Sequence, residues 1–325
     1  MQKLLRYFIV MSLLLLQTLF TALAGGADYP VRPIRLVIPI GPGGNADILG
    51  RLVGQRLSEI WGQQVVVDNR PGASNVIGTE IAANASPDGY TLLLVATAYV
   101  TNPSLKKELP YDSVRDLAPV SLIASTPFLL VAHPGLPANN IRDLVAIARG
   151  KPGQLNYSSS GVGTSQHLAG ALFAYMVHIN LNHVPYKLTA QALTDVIGGN
   201  VQLIFASITS VLPHVKAGKL RALGITTLRR SALAPDLPTI AESGVSGYDF
   251  AAWTGILVPA ATPRPIIAKL NAEIVGILNS PEIRKRIAGM GADVTPSSPS
   301  EFASLISSEI SKWAAVLKSA SIRVE

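Results

Sequence analysis

A glycine-rich loop at residues 41–45, Gly-Pro-Gly-Gly-Asn, is the first place in the sequence where the residue types suit binding chemistry. It follows a buried-strand pattern at 34–40 and precedes a helical pattern at 46–61. Glycines let backbone amides converge, and the start of a helix adds about half a positive charge. The loop lacks the third glycine of a dinucleotide site and the Gly-Lys-Ser/Thr of a phosphate loop. It predicts an anion site, with a tight turn capped by Asn45 as the structural alternative.

The second half of the chain repeats this arrangement at residues 159–164, Ser-Ser-Gly-Val-Gly-Thr. This loop follows a strand pattern at 155–158 and precedes a helical pattern that begins near Ser165. Hydroxyls and free amides at a helix start, with no acid nearby, suit a carboxylate. An ordinary Ser/Thr helix cap is the alternative. A third polar loop, 70–75, also joins a strand to a helix. Two glycine loops, one in each half, therefore predict an anion site that both halves share.

The elements that position these loops alternate between short β-branched runs and helical segments, which predicts an α/β fold with mostly parallel sheets flanked by helices. Two long extended runs, 121–132 and 251–258, are predicted to cross between two lobes and form a hinge. We expect the first lobe to contain residues 25–124 and 250–325, and the second 125–249. Strands are predicted at 34–40, 64–67, 91–96, 155–158, 182–185, 201–206 and 221–226, and helices at 46–61, 76–85, 139–149, 165–177, 189–197, 209–217 and from 265 onward.

The N-terminus has the pattern of an export signal. Lys3 and Arg6 precede an apolar run at 8–20, and Ala-Leu-Ala follows as a cleavage pattern. The prediction is a cleaved signal peptide at residues 1–24, with Ala27 as a second cleavage point and an uncleaved membrane anchor as the alternative. The chain has no cysteine, which excludes a lipidated cysteine, a disulfide framework and a thiolate metal site. The periplasm is the predicted location.

The positive charge of the chain does not indicate a nucleic-acid partner. The formal net charge is +7, and removal of Lys3 and Arg6 leaves +5. The basic residues are scattered, apart from short pairs and one run at 284–286, and no aromatic residues are interleaved with them. We expect a basic surface that mildly favours anionic ligands, with no nucleic-acid partner and no cofactor.

An exported hydrolase is the main enzymatic alternative. The sequence contains neither G-x-S-x-G nor H-E-x-x-H, and the S-x-x-K spacing from Ser104 to Lys107 lacks its companion motifs. His167 and His183 are each interpreted as structural, because neither has a nucleophile and base pattern around it. Asp47 suits the first turn of a helix better than acid catalysis. We therefore expect no enzymatic activity.

A series of short motifs, in one register along most of the chain, resembles the Bug-type receptors of tripartite tricarboxylate transporters. The motifs are Ile-Pro at 38–39, Gly-Gly with Asp at 43–47, Asp-Asn-Arg-Pro-Gly-Ala at 68–73, Pro-Asp-Gly-Tyr-Thr-Leu at 87–92, Asn-Pro-Ser-Leu at 102–105, Leu-Pro-Tyr-Asp at 109–112, Lys-Pro-Gly at 151–153, Leu-Asn-Tyr at 155–157, Gly-Thr and His-Leu at 163–168, His-Val-Pro-Tyr-Lys at 183–187, Pro-His-Val-Lys-Ala-Gly-Lys-Leu-Arg-Ala-Leu at 213–223 and Pro-Asp-Leu-Pro-Thr at 235–239.

This resemblance implies a two-lobed, type II "Venus flytrap" binding protein. It implies a monomeric receptor that binds a small carboxylate and delivers it to large and small membrane subunits, with a sensory receptor for a signalling kinase as the alternative. Family ligands are held mainly by backbone amides, hydroxyls and water. The site residues implied by position are Ile40, Gly43, Gly44, Ala73, Ser74 and Thr97 in the first lobe, and Ser158, Ser159, Gly163, Thr164 and Ser207 in the second.

Several positions depart from the family pattern around the expected pocket. Ile40 stands where Phe is common, Ser74 and Asn75 stand where glycines are common, and Leu188 replaces a glycine. Ala206 stands where Asp is frequent, which removes an acidic partner for an ammonium group. These departures predict a small organic acid without an amine.

Overall fold

The computed structural model describes residues 29–319. The predicted signal peptide at 1–24 and its two cleavage points, Ala24 and Ala27, lie outside the described residues. Within the described range, no helix is both long enough and apolar enough to cross a membrane.

Three parallel strands and three helices form the N-terminal part of the first lobe. They are β1 (Ile34–Ile38), α1 (Asn45–Trp61), β2 (Val65–Asn69), α2 (Val76–Ala83), β3 (Thr91–Ala96) and α3 (Ala98–Leu105). The strands lie in the order β2–β1–β3. On one face of β1, Leu36 packs with Leu49 of α1, and on the other Val37 packs in the cluster that contains Tyr99 of α3. Because both faces are covered, β1 is apolar at the successive positions 36–38.

The second lobe repeats this architecture. Its elements are α4 (Ile141–Gly150), β5 (Asn156–Ser159), α5 (Ser165–Val177), β6 (Asn182–Pro185), α6 (Thr189–Ile197), β7 (Leu203–Ser207), α7 (Ile208–Lys216) and β8 (Arg221–Ile225). The parallel strands lie in the order β7–β5–β6. The carboxyl ends of β5 and β7 therefore meet at one edge of the sheet, where ligands of open α/β sheets bind.

Two long antiparallel strands connect the lobes. They are β4 (Leu117–Ala132) and β9 (Ala251–Pro259). β4 pairs with β9 as far as Pro127 and, from Phe128 onward, with β7 and β8 of the second lobe. The prediction of two crossing strands in a two-lobed α/β fold is therefore confirmed. The predicted lobe boundaries, at 124/125 and 249/250, stay a prediction.

The C-terminal part returns to the first lobe. Its elements are α8 (Arg264–Asn279), α9 (Pro281–Gly289), β10 (Asp293–Val294) and α10 (Pro299–Ser319). At the start of α10, Ser298 Oγ accepts a hydrogen bond from the Glu301 amide, and the Glu301 carboxylate accepts one from the Ser298 amide. This is the reciprocal pattern of a capping box. α10 packs against α3 and β4 and also against α5 of the second lobe.

Helix α3 was not among the predicted elements. Its sequence contains Asn102 and Pro103, a pair that usually marks a turn or a helix end. The helix forms because Tyr99, Val100 and Leu105 are buried against the core, where they exclude water. Tertiary packing outweighs the local turn signal here.

Candidate functional site

A cleft of about 500 Å³ lies between the lobes, a volume that suits a small organic molecule. It is bordered by loops that follow strands, by the first residues of helices and by the crossing strands. None of its lining residues is acidic, basic or a histidine. The lining residues are Ile40, Asn45, Ala46, Leu49, Ser74, Asn75, Ala96, Thr97 and Ala98 of the first lobe, Ser160, Val162, Gly163, Thr164, Ser165, Gln166, Thr189 and Ser207 of the second, and Thr126, Phe128, Ala252, Trp253 and Thr254 of the crossing strands.

The structure brings six of the eleven predicted site residues to this cleft, and five lie elsewhere. The six are Ile40, Ser74, Thr97, Gly163, Thr164 and Ser207. Gly43, Gly44 and Ala73 are exposed loop residues that do not border it, and Ser158 and Ser159 are fully buried beneath the second-lobe loop. Direct ligand contact by any of the eleven stays a prediction.

The start of α1 faces the cleft with free backbone amides. Gly44 is its N-cap residue, and no side chain caps the helix. Asn45 and Ala46, the first two helical residues, border the cleft. The first amides of a helix have no partner within the helix, and the helix dipole gives them a partial positive charge. This end of the cleft is suited to an anion.

Asp47 is the hydrogen-bond acceptor of the Gly43 amide. The buried carboxylate accepts hydrogen bonds from the Gly43 amide at 2.9 Å, from Arg51 Nε at 2.9 Å and from Asn69 Nδ2 at 2.8 Å. Burial raises the pKa of Asp47, but the hydrogen bonds from Arg51, Asn69 and Gly43 outweigh it, and the net pKa is lowered. The amide of Gly43 is thus engaged within its own lobe. It holds the loop against Asp47.

A left-handed turn borders the cleft beside α1. Ala73, Ser74 and Asn75 have φ values of 48°, 58° and 76°, a conformation that disfavours residues with a side chain. The turn is held because Asn102 Nδ2 donates to the Ser74 carbonyl at 2.9 Å and Thr79 Oγ1 donates to the Asn75 carbonyl at 2.8 Å. Ser74 and Asn75, which stand where the family commonly has glycine, therefore occupy positions that need positive φ. Backbone strain of this kind concentrates at functional sites.

The start of α5 mirrors the start of α1 across the cleft. Thr164 is the N-cap residue and makes no side-chain cap, and Ser165 and Gln166 border the cleft. The Gly163 amide donates to Nδ1 of His167 at 3.0 Å. In each lobe, the third residue of the helix therefore accepts the amide of the glycine that precedes the N-cap. The Gly163 amide, like that of Gly43, is held by its own helix.

Two stacked imidazoles support the second-lobe loop from below. The rings of His167 and His183 lie 3.8 Å apart and are nearly parallel, and the ring of Tyr157 packs against both. Nε2 of His183 is 2.7 Å from the hydroxyl of Ser159. Burial, together with the charge of His183, lowers the pKa of His167 to about 3, and burial lowers the pKa of His183 to about 4. Both rings are therefore neutral near pH 7, and each contacts the loop that borders the cleft.

The remaining departures from the family pattern lie at different distances from the cleft. Ile40 lines it, whereas Leu188 is 60 % exposed and does not. Ala206, in β7, is fully buried in the hydrophobic core and does not line the cleft. The argument that Ala206 removes an acidic partner for an amine from the cleft is therefore corrected. The acidic residues Glu80 and Asp195, either of which could pair with an amine, do not line the cleft.

The sequence did not identify several lining residues. Asn45 is the first residue of α1, and Gln166 is the second residue of α5. Their positions just after a glycine or threonine N-cap could have identified them from the sequence. Thr126, Phe128 and Trp253 carry no such signal, because only the pairing of β4 with β9 and with β7 brings them to the cleft.

Comparisons with known proteins place this architecture in one family. The sequence model described as "Tripartite tricarboxylate transporter family receptor" matches residues 49–322. Protein BugT of Bordetella pertussis is 35 % identical over 92 % of this chain and 94 % of its own length. A protein of R. palustris solved with adipate is 36 % identical, with a TM-score of 0.78, over 91 % of this chain and 100 % of that one.

A second similar structure, MatC from Rhodopseudomonas palustris with bound malate, is 30 % identical, with a TM-score of 0.74, over 89 % of this chain and 100 % of that one. The family model covers most of the described residues, including the start of α5, and it begins after the first turn of α1. The chain is therefore a member of the tripartite tricarboxylate transporter receptor family.

Proposed function

We propose that this protein is a periplasmic receptor that closes its two lobes around a small organic acid with at least one carboxylate and no amine. The observation that carries the proposal is the chemistry of the cleft. The starts of α1 and α5, from opposite lobes, border it, and none of its lining residues is charged. Free helix amides bind anions without a counter-charge.

The uncharged lining of the cleft favours the binding of a carboxylate over that of an ammonium group. A carboxylate that enters the cleft exchanges water for amide and hydroxyl donors at two helix starts. An ammonium group would lose its water without gaining an acidic partner, because the residues that line the cleft include no Asp or Glu. The apolar residues Ile40, Leu49 and Phe128 suit the hydrocarbon part of an acid.

The similar structures support this ligand class. One was solved with adipate and the other with bound malate, and both molecules are dicarboxylates without an amine. We propose a ligand of this kind for the present chain.

The family also suggests where the receptor acts. We propose that residues 1–24 direct export and that the closed receptor, as a monomer, delivers its ligand to large and small membrane subunits. Deletion of the gene is expected to abolish uptake of the acid. Loss of induction with intact uptake would favour the sensory alternative.

The proposal is tested with purified protein and a panel of mono-, di- and tricarboxylates that includes adipate and malate. A ligand that binds only the folded state raises the free energy of unfolding, by about 4 kcal/mol at 1,000 times its Kd. Thermal-shift screening should therefore find a stabilising acid, and calorimetry should give its Kd. Stabilisation by cations or sugars alone would overturn the proposal. No detectable turnover of ester or amide substrates is expected.

A further inference from the structure

Gln166, the second residue of α5, is a buried polar side chain at the cleft. It is only 5 % exposed, and it borders the cleft. Its Oε1 atom accepts a hydrogen bond from the Ser160 amide at 2.7 Å. Because the Ser160 N–H is a donor, the carboxamide must present its oxygen to it, and the orientation of the side chain is determined.

The other end of this carboxamide is an NH2 group with two donors. No protein acceptor for it exists among the hydrogen bonds of residues 29–319. The NH2 group is not sealed from solvent, so open space reaches it. The open space that Gln166 borders is the cleft. An NH2 group whose orientation is fixed and whose donors face the cleft is available to an acceptor on a bound ligand.

We infer that Gln166 is a specificity-determining residue whose Nε2 donates to a carboxylate oxygen of the ligand. This inference rests on the proposed function and names a side chain that recognises the ligand at the second lobe. The backbone amides at the start of α5 add donors and a positive partial charge at the same place. Because no acid lines the cleft, a carboxylate is favoured over a neutral carbonyl or hydroxyl acceptor.

The test is Gln166→Glu, which separates this role from a structural one. Glutamate has nearly the same shape and still accepts the Ser160 amide, but it replaces the NH2 donor by an anionic oxygen. We expect the affinity for adipate and malate at pH 7 to fall by about 100-fold or more, because a charge-assisted hydrogen bond is replaced by repulsion. The melting temperature of the ligand-free protein should change little. Binding should recover in part as the pH approaches 5, where the new carboxyl takes up a proton.

Gln202→Glu is the matched control. The Gln202 Oε1 atom also accepts a backbone amide, that of Asn156, at 3.1 Å, but Gln202 does not line the cleft. This variant should bind both acids as the wild type does. Gln166→Leu, which removes both the acceptor and the donor, is measured alongside in case the Glu variant is unstable.

The outcomes distinguish the inference from the proposed function. A wild-type protein that binds adipate or malate, with weaker binding in both Gln166 variants and unchanged binding in the control, supports the inference. Wild-type binding with equal affinity in the folded Gln166 variants would overturn the inference and leave the proposed function standing. A wild-type protein that binds no carboxylate overturns both.

Discussion

The amide of Gly163 donates a hydrogen bond to Nδ1 of His167 at 3.0 Å, just as the amide of Gly43 donates to the carboxylate of Asp47 at 2.9 Å. The two lobes thus use the same geometry with different acceptors, an ionised carboxylate in one and a neutral imidazole in the other. Since Nδ1 accepts, the proton of the neutral ring lies on Nε2. Each acceptor determines the position of the loop ahead of a helix start at the cleft.

The role of His167 as an acceptor is tested by two substitutions. His167→Asn places Oδ1 near the position of Nδ1 and keeps the hydrogen bond from Gly163, whereas His167→Leu removes it. We expect His167→Leu to weaken the binding of a stabilising acid by up to about tenfold, since one neutral hydrogen bond is worth about 0.5–1.5 kcal/mol. Calorimetry should show that His167→Asn binds within a few-fold of the wild type. Equal affinities in both variants would contradict this role.

The same histidines make stability depend on pH. In the unfolded chain both titrate near pH 6.5, whereas burial keeps His167 and His183 neutral in the folded protein down to about pH 3 and 4. The unfolded state therefore binds more protons in this window, and the free energy of unfolding decreases as the pH falls below 6.5. Each histidine contributes about 1.4 kcal/mol per pH unit.

Denaturant titrations between pH 7 and 4.5 measure this slope. The double variant His167→Asn/His183→Gln keeps the acceptor for Gly163 and a side chain near Ser159 but has no imidazole at either position. Its free energy of unfolding should fall less steeply with acidification than that of the wild type. Identical slopes would show that the stacked pair does not control acid stability.

Gly43 is required by its backbone conformation. Its φ is +91°, and a Cβ there would meet no atom within 4 Å, so the cost of Gly43→Ala is conformational rather than steric. We expect Gly43→Ala to lower the free energy of unfolding by about 1–2 kcal/mol. Gly41→Ala is the control, because Gly41 has equally open surroundings and lies outside the left-handed region. Chemical denaturation compares the two, and an equal effect would contradict the conformational explanation.

Ala73→Gly is expected to have the opposite effect on stability to Gly43→Ala. Ala73 lies in the left-handed region with φ of 48°, where a side chain costs about 1–2 kcal/mol. Ala73→Gly should therefore leave the free energy of unfolding unchanged or raise it by up to about 1 kcal/mol, despite the extra freedom of glycine in the unfolded chain. Ala315→Gly, at an exposed position inside α10, should lower it by about 0.5–1 kcal/mol. A similar loss in both variants, by chemical denaturation, would refute the strain at Ala73.

The uncharged lining of the cleft predicts discrimination against amino acids. Succinate should bind more tightly than aspartate, and glutarate more tightly than glutamate, because the amine finds no acidic partner among the lining residues. Titration calorimetry with these matched pairs measures the difference directly. Tighter binding of the amino acid in both pairs would refute the prediction.

Much of the fold and part of the site could be predicted from local patterns. The bounds of β3, α5, β6 and α6 agree with the predicted ones, because caps, periodicity and turn residues act over a few neighbouring positions. The two glycine loops were recognised for the same reason. α3 was missed because burial of Tyr99 and Val100 outweighs the turn signal at Pro103.

The sequence alone predicted the two helix starts that border the cleft, since strand, glycine loop and helix follow each other directly along the chain. Only the tertiary structure decided which groups remain free at that site. The Gly43 and Gly163 amides are taken by side chains whose orientation depends on packing, and Ala206 faces the core because the register of β7 puts it there. Thr126 and Trp253 reach the cleft through pairing between segments more than a hundred positions apart, which no local pattern encodes.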